Sequence, residues 1–182
     1  MAITFHPDGR IIHSNGVEIG STKMMDQWRL TQSKTVPANT TTYLDSNWER
    51  NDNNFAQIGT GMSESSGVFT FPSTGIYRID TRWNIYNNNG TSNRYVSARM
   101  ELSTNSGGSY AVCATAYTSM SDLGETLGHS THDICINVTN ASTFKIRIAV
   151  SSNSQCYFAG NQWGGIAANS QTCCMTFTKL SQ

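Results

Sequence analysis

His129 and His132, in His129-Ser-Thr-His132, are the two side chains best suited by type and spacing to share a metal ion. Two imidazoles from one loop can reach a single cation, but a stable site needs a third protein ligand. None stands nearby in the sequence, so an ordinary polar loop is the better reading, and the pair is kept only as a candidate ligand-binding site. His6 and His13 flank the Pro7-Asp8-Gly9 turn and would meet their own copies only on a symmetry axis. The five cysteines, Cys113, Cys135, Cys156, Cys173 and Cys174, lack the Cys-x-x-Cys spacing of a zinc site and read as reduced thiols buried in strands. No serine sits in a Gly-x-Ser-x-Gly elbow, and the neighbours His132 and Asp133 say nothing about a triad. Paired carboxylates for glycoside cleavage are not singled out among the 12 acidic residues. The expectation is no enzyme, no cofactor and no metal.

Trp163 is the more interesting candidate. In Gly160-Asn-Gln-Trp-Gly-Gly165 an aromatic ring lies between glycines in a long loop. It either stacks on a sugar ring or a partner's pocket, or folds back as a plug on the body of the protein, the second reading being favoured.

These residues must be positioned by a chain of 182 residues, enough for one domain with a sizeable core. Only 13% of it is charged, so the surface is built from Asn, Ser and Thr, which suit strands and turns. Twelve basic residues balance twelve acidic ones, giving no net charge. Without a positive field there is little counterion release to drive nucleic-acid binding, and without net repulsion self-association is easy. No apolar run reaches the length of a membrane span, and the N-terminus lacks the basic and apolar regions of a secretory signal.

Residues 1–22 differ from the rest. The short apolar runs containing Ile3, Phe5, Ile11, Ile12, Val17 and Ile19 are separated by Pro7-Asp8-Gly9 and Ser14-Asn15-Gly16, and read as a small β-meander. Three such strands cannot bury their apolar face alone, so they are assigned to attachment outside the main domain, which spans 23–182. From residue 67 the pattern has a period of two. In Tyr77-Arg-Ile-Asp-Thr-Arg-Trp-Asn-Ile85 the odd positions form a largely apolar face, and Arg78, Asp80 and Arg82 lie on the other. That polar face is either solvated or carries ion pairs between subunits. Turn signals at Asn87–Gly90 and Gly107-Gly108 separate further strands, and no helical period is present. Trp48 and Phe55 read as single anchors under loops. The expected class is all-β, an antiparallel two-sheet sandwich.

The run Gly67-Val-Phe-Thr-Phe-Pro-Ser-Thr-Gly-Ile-Tyr-Arg-Ile79 resembles the signature of the tumour-necrosis-factor-like and complement globular-head jelly roll. The likeness covers about residues 24–182, with Asn47-Trp48 as an upstream match, Met175–Leu180 as a closing strand and Cys135–Val150 as a penultimate hairpin. It implies a jelly roll of eight to ten strands that usually forms a homotrimer, with Trp28, Phe69, Phe71, Tyr77, Ile79, Trp83 and Phe177 in core or trimer packing. The whole chain also resembles structural proteins of tailed bacteriophages. That implies a capsid decoration or short fibre of the virion, made in the host cytoplasm and held by other virion proteins. The alternative is a fibre head that binds a host-surface glycan or protein.

Overall fold

The computed structural model describes residues 22–51, 57–87, 90–121, 124–160 and 171–181, together with the strands at 3–5, 11–13 and 18–19. Those three strands, β1 (Ile3–Phe5), β2 (Ile11–His13) and β3 (Glu18–Ile19), pair antiparallel in the order β1-β2-β3 and form a sheet of their own. The proposed attachment residues Ile3, Phe5, Ile11, Ile12 and Ile19 lie on them, whereas Val17 falls outside the described residues, as do those five side chains.

The rest is two antiparallel sheets face to face. The first has seven strands: β4 (Met24–Leu30), β5 (Lys34–Val36), β7 (Trp48–Arg50), β10 (Gly75–Asn87), β13 (Thr126–Val138), β15 (Cys156–Phe158) and β16 (Cys174–Ser181). The second has six: β6 (Thr42–Tyr43), β8 (Ser63–Ser65), β9 (Val68–Thr70), β11 (Asn93–Ser103), β12 (Ala111–Met120) and β14 (Lys145–Ser152). No helix occurs among the described residues. The strand number exceeds eight to ten because six of the strands, β5 to β9 and β15, are fragments of two or three residues.

The period-two stripe becomes the centre of the first sheet. Along β10, Tyr77, Ile79, Thr81, Trp83 and Ile85 are buried while Ile76, Arg78 and Arg82 are exposed. On one flank β10 pairs with β13 throughout, and on the other with β16 and then β15. The second sheet contributes Val96, Ala98 and Met100 from β11, and Ile146, Ile148 and Val150 from β14.

Aromatic rings hold the layers together. Phe69, from the second sheet, lies edge-on to Trp28 at 5.5 Å and to Trp48 at 5.2 Å, and 5.5 Å from Phe177. Trp48 continues to Trp83 at 6.3 Å, and Trp83 to Phe158 at 6.1 Å. Trp48 is therefore a link in the core and no isolated anchor under a loop; its indole N–H also donates to Leu44 O at 2.6 Å. Phe55 lies outside the described residues.

The signature run makes a corner. Ser66 and Gly67 both take positive φ, 51° and 77°, in a two-residue hairpin between β8 and β9. Gly67 is required twice, since a Cβ there would sit 2.3 Å from Leu44 O. Beyond Pro72, the Tyr77 hydroxyl donates to Ser73 O at 3.0 Å, fixing the turn into β10.

Two connections differ from the sequence reading. The segment Cys135–Val150 is not a hairpin, because β13 pairs with β10 in one sheet while β14 pairs with β11 in the other. The turn after β13 carries the chain across the sandwich, and local turn chemistry does not tell a hairpin from a crossing. The next two strands, β10 and β11, likewise belong to opposite sheets.

One buried charge reinforces a margin. Asp26 lies on the inward side of β4, and its carboxylate accepts from Arg50 Nε at 2.9 Å, Trp28 Nε1 at 2.9 Å and Met62 N at 2.8 Å. The Arg50 guanidinium also covers the Trp28 ring at 4.6 Å. A buried carboxylate is tolerable only with such a full set of partners.

Phe69→Ala removes the ring that touches three others. Its expected cost is about 3–5 kcal/mol, read as a fall in the urea midpoint with little change in slope.

Candidate functional site

β12 and β13 end their sheets on the same side of the sandwich. Among the described residues β12 pairs only with β11, and β13 only with β10. The two run alongside each other, and a Cβ at Gly128 would lie 3.1–3.2 Å from the side chains of Thr118 and Met120. This margin therefore exposes the free backbone edges of two long strands.

Soluble proteins blunt such edges with charges, prolines or very short strands. Here β12 runs Ala111-Val-Cys-Ala-Thr-Ala-Tyr-Thr-Ser-Met120 without a charged residue or a proline, and β13 carries one formal charge, at Asp133. Large apolar side chains stand out from the same margin: Val112 is 51% exposed, Tyr117 67% and Leu127 64%. A ten-residue uncharged edge bearing these groups has the chemistry of an interface.

Behind the margin lies His132. Its Nε2–H donates to Ala98 O in the opposite sheet at 2.8 Å, while Nδ1 accepts from Trp83 Nε1 at 3.2 Å and lies 3.0 Å from Thr81 Oγ1. This network assigns the neutral ring with its proton on Nε2. A second proton on Nδ1 would face the indole N–H. Burial pushes the His132 pKa below its ordinary value, outweighing the opposing effect of the Ala98 carbonyl.

The two histidines do not share a site. Both lie on β13, a strand and not a loop, and a separation of three sends neighbouring side chains to opposite faces. His132 is buried and His129 exposed. His129 instead borders a cleft of about 260 Å³ with Asn84, Tyr86, Leu127, Ala159 and Thr172. No group of three His, Cys, Asp or Glu residues suited to a metal occurs among the described residues. Trp163, like His6, lies outside them.

The other candidates are placed as follows. Trp28, Phe69, Phe71, Tyr77, Ile79, Trp83 and Phe177 are all buried within one chain, so their packing belongs to the subunit's own core. Arg78 bonds to Asp80 and to Asp133, both at 2.9 Å, and Arg82 to the Gln171 carbonyl, so this outer face makes ion pairs within the chain. Cys156, Cys173 and Cys174 are buried, Cys113 partly so, and Cys135 is exposed because it shares the outward face of β13 with His129. Burial pushes the Cys173 thiol up to about 12 and raises Cys113, Cys156 and Cys174 as well. That is the reverse of what an activated nucleophile needs.

Sequence reasoning missed the open margin, because which strands end a sheet is a property of pairing. Its one local trace was the uncharged run 111–120.

No family model matches the chain, and no curated protein matches its sequence. Solved structures do resemble it. Murine APRIL at pH 5.0 superposes with a TM-score of 0.59 and 10% identity, over 86% of this chain and 98% of that one. Eiger TNF from S. frugiperda gives 0.58 and 9%, over 88% and 94%. At such identities the likeness concerns the fold, which is a TNF-like jelly-roll sandwich.

The His132 network makes stability depend on pH. Below pH 6.5 the unfolded chain takes up a proton that the folded chain refuses, so stability falls as pH drops from 6.5 toward the lowered folded pKa and is level above it. Urea midpoints measured between pH 7.5 and 5 should show this fall. His132→Gln, which cannot be protonated, should flatten it.

Proposed function

We propose that this protein is a non-catalytic structural component that works as a homotrimer, its subunits joined through the margin formed by β12 and β13. The observation that carries this reading is the ten-residue edge strand without charge, with Val112, Tyr117 and Leu127 exposed beside it. Covering that edge would remove apolar surface from water and satisfy backbone groups that otherwise invite uncontrolled pairing. The zero net charge leaves no long-range repulsion to oppose it.

Residues 1–22 are the attachment arm in this proposal, and 23–182 the jelly roll. The three-stranded sheet of the arm pairs with no other strand among the described residues, which suits a segment that docks elsewhere. Three copies of a weak docking element bind a repeated surface far more tightly than one. Together with the sequence resemblance to tailed-phage proteins, this favours a virion decoration or short fibre as the setting, with capsid or tail proteins as partners.

Light scattering on the purified chain should give three times the chain mass. Tyr117→Lys, which places a charge on the exposed edge, should shift the mass toward the monomer while the β-type circular dichroism spectrum is kept. A wild-type monomer, or a trimer indifferent to a Tyr117→Lys, Val112→Lys double variant, would overturn the proposal. A chain beginning at Lys23 should remain trimeric and lose attachment to the particle.

A further inference from the structure

The margin that carries the proposed subunit contact is tied across the sandwich by one ionisable side chain. His132 is buried on the inward face of β13, and its Nε2–H donates to Ala98 O on β11 at 2.8 Å. Among the described residues this is the one hydrogen bond that crosses from β13 to the six-stranded sheet. We propose that His132 is an acid-operated latch, whose protonation frees β13 from β11 and opens the β12–β13 margin. The consequence for assembly, release of the subunits from one another, rests on the trimer reading above.

The closed latch has no place for a second proton. With Nε2 donating to Ala98, Nδ1 is the acceptor for Trp83 Nε1 at 3.2 Å. A proton on Nδ1 would face that indole N–H and deprive it of its acceptor. Thr81 Oγ1, 3.0 Å from Nδ1, already accepts the backbone N–H of His132 at 2.9 Å.

No charge nearby compensates. From β10 the ring meets Thr81 and Trp83, and from β11 Ala98. Its neighbours on the inward face of β13 are Ser130 and Ile134. Asp80, Arg78, Arg82, Asp133 and His129 lie on the outer face of that sheet, and Arg99 and Glu101 on the outer face of β11. The titratable groups of β12 are Tyr117, which is exposed, and Cys113, which burial keeps neutral. Burial therefore decides the balance at His132, and it favours the uncharged ring.

Little else closes this side. The strands that meet here present small side chains inward: Ala98 on β11, Ala114 and Ala116 on β12, and Ser130 on β13. Ser130 Oγ is buried without a partner, so closure leaves a polar group unsatisfied even when His132 is neutral. Thin apolar contact and an unpaired hydroxyl mark a segment that opens more easily than the aromatic centre.

The chain has four histidines, His6, His13, His129 and His132, which allows a clean test on the full-length protein. His132→Gln removes the proton site, while a His6→Gln, His13→Gln, His129→Gln triple variant leaves His132 as the sole imidazole. Hydrogen–deuterium exchange is followed at pH 7.5 and 5.5 and corrected for the chemical exchange rate. For an open state that titrates near 6.5, the opening equilibrium rises about tenfold over that interval. Peptides covering 111–120 and 126–138 should exchange faster at pH 5.5 in the wild type and the triple variant. Those covering 24–30 and 174–181 should stay protected over the same labelling time. In His132→Gln the two pH values should agree. Uptake indifferent to pH, uptake rising equally in all four segments, or an acid response kept by His132→Gln would overturn the latch. Light scattering at the same two pH values reads the assembly. The trimer mass at 7.5 should fall at 5.5 and be retained by His132→Gln, and a mass unchanged by acid would overturn subunit release. A chain already monomeric at pH 7.5 sinks the trimer reading, and the exchange result still decides the latch.

Discussion

Two sheets stay together only if the space between them is filled by side chains that reach across, and here that work falls to rings. Phe69 enters from one layer and is received by Trp28, Trp48 and Phe177, and the line of contacts continues through Trp83 to Phe158. Aromatic side chains suit the role because each removes a large apolar area from water and prefers the edge-on arrangements seen here. With the middle of the sandwich built this way, the perimeter can be made of Asn-, Ser- and Thr-rich strands of two or three residues. Those fragments contribute little alone and are kept in place by the filled centre.

The central strands were legible in the sequence because their side chains alternate without interruption. Tyr77 to Ile85 reports a buried and an exposed face with no other information needed, and the Phe69–Tyr77 run marks the corner that leads into it. Legibility failed where the physics is not local. Asp26 shares the inward face of β4 with Trp28 and Leu30, and the three donors that make its burial tolerable come from β4, β7 and the segment before β8. The Arg147–Tyr43 contact joins residues 104 positions apart. His129 and His132 looked like a loop because Gly128, Ser130 and Thr131 interrupt the apolar alternation. Pairing with thirteen consecutive residues of β10 makes them a strand regardless.

The buried histidine and the buried aspartate solve one problem differently. Asp26 satisfies its carboxylate by gathering the guanidinium, an indole and a backbone amide. His132 gives up its charge and spends both ring nitrogens on bonds, one of them across the layers to Ala98. Each polar group thus specifies a particular neighbour, which apolar packing alone does not.

The position of β16 bears on how the molecule is made. Residues 174–181 insert between β10 and β4, so the middle of the larger sheet is occupied by the last strand in sequence order. Until it arrives, β10 and β4 have no common neighbour and the layer stays split. Contacts between strands this far apart in sequence are slow to form, so this topology makes closure of the sheet a late step of folding. Chains cut short by premature termination would then present an open seam through the sheet's centre, a natural substrate for chaperones and proteases.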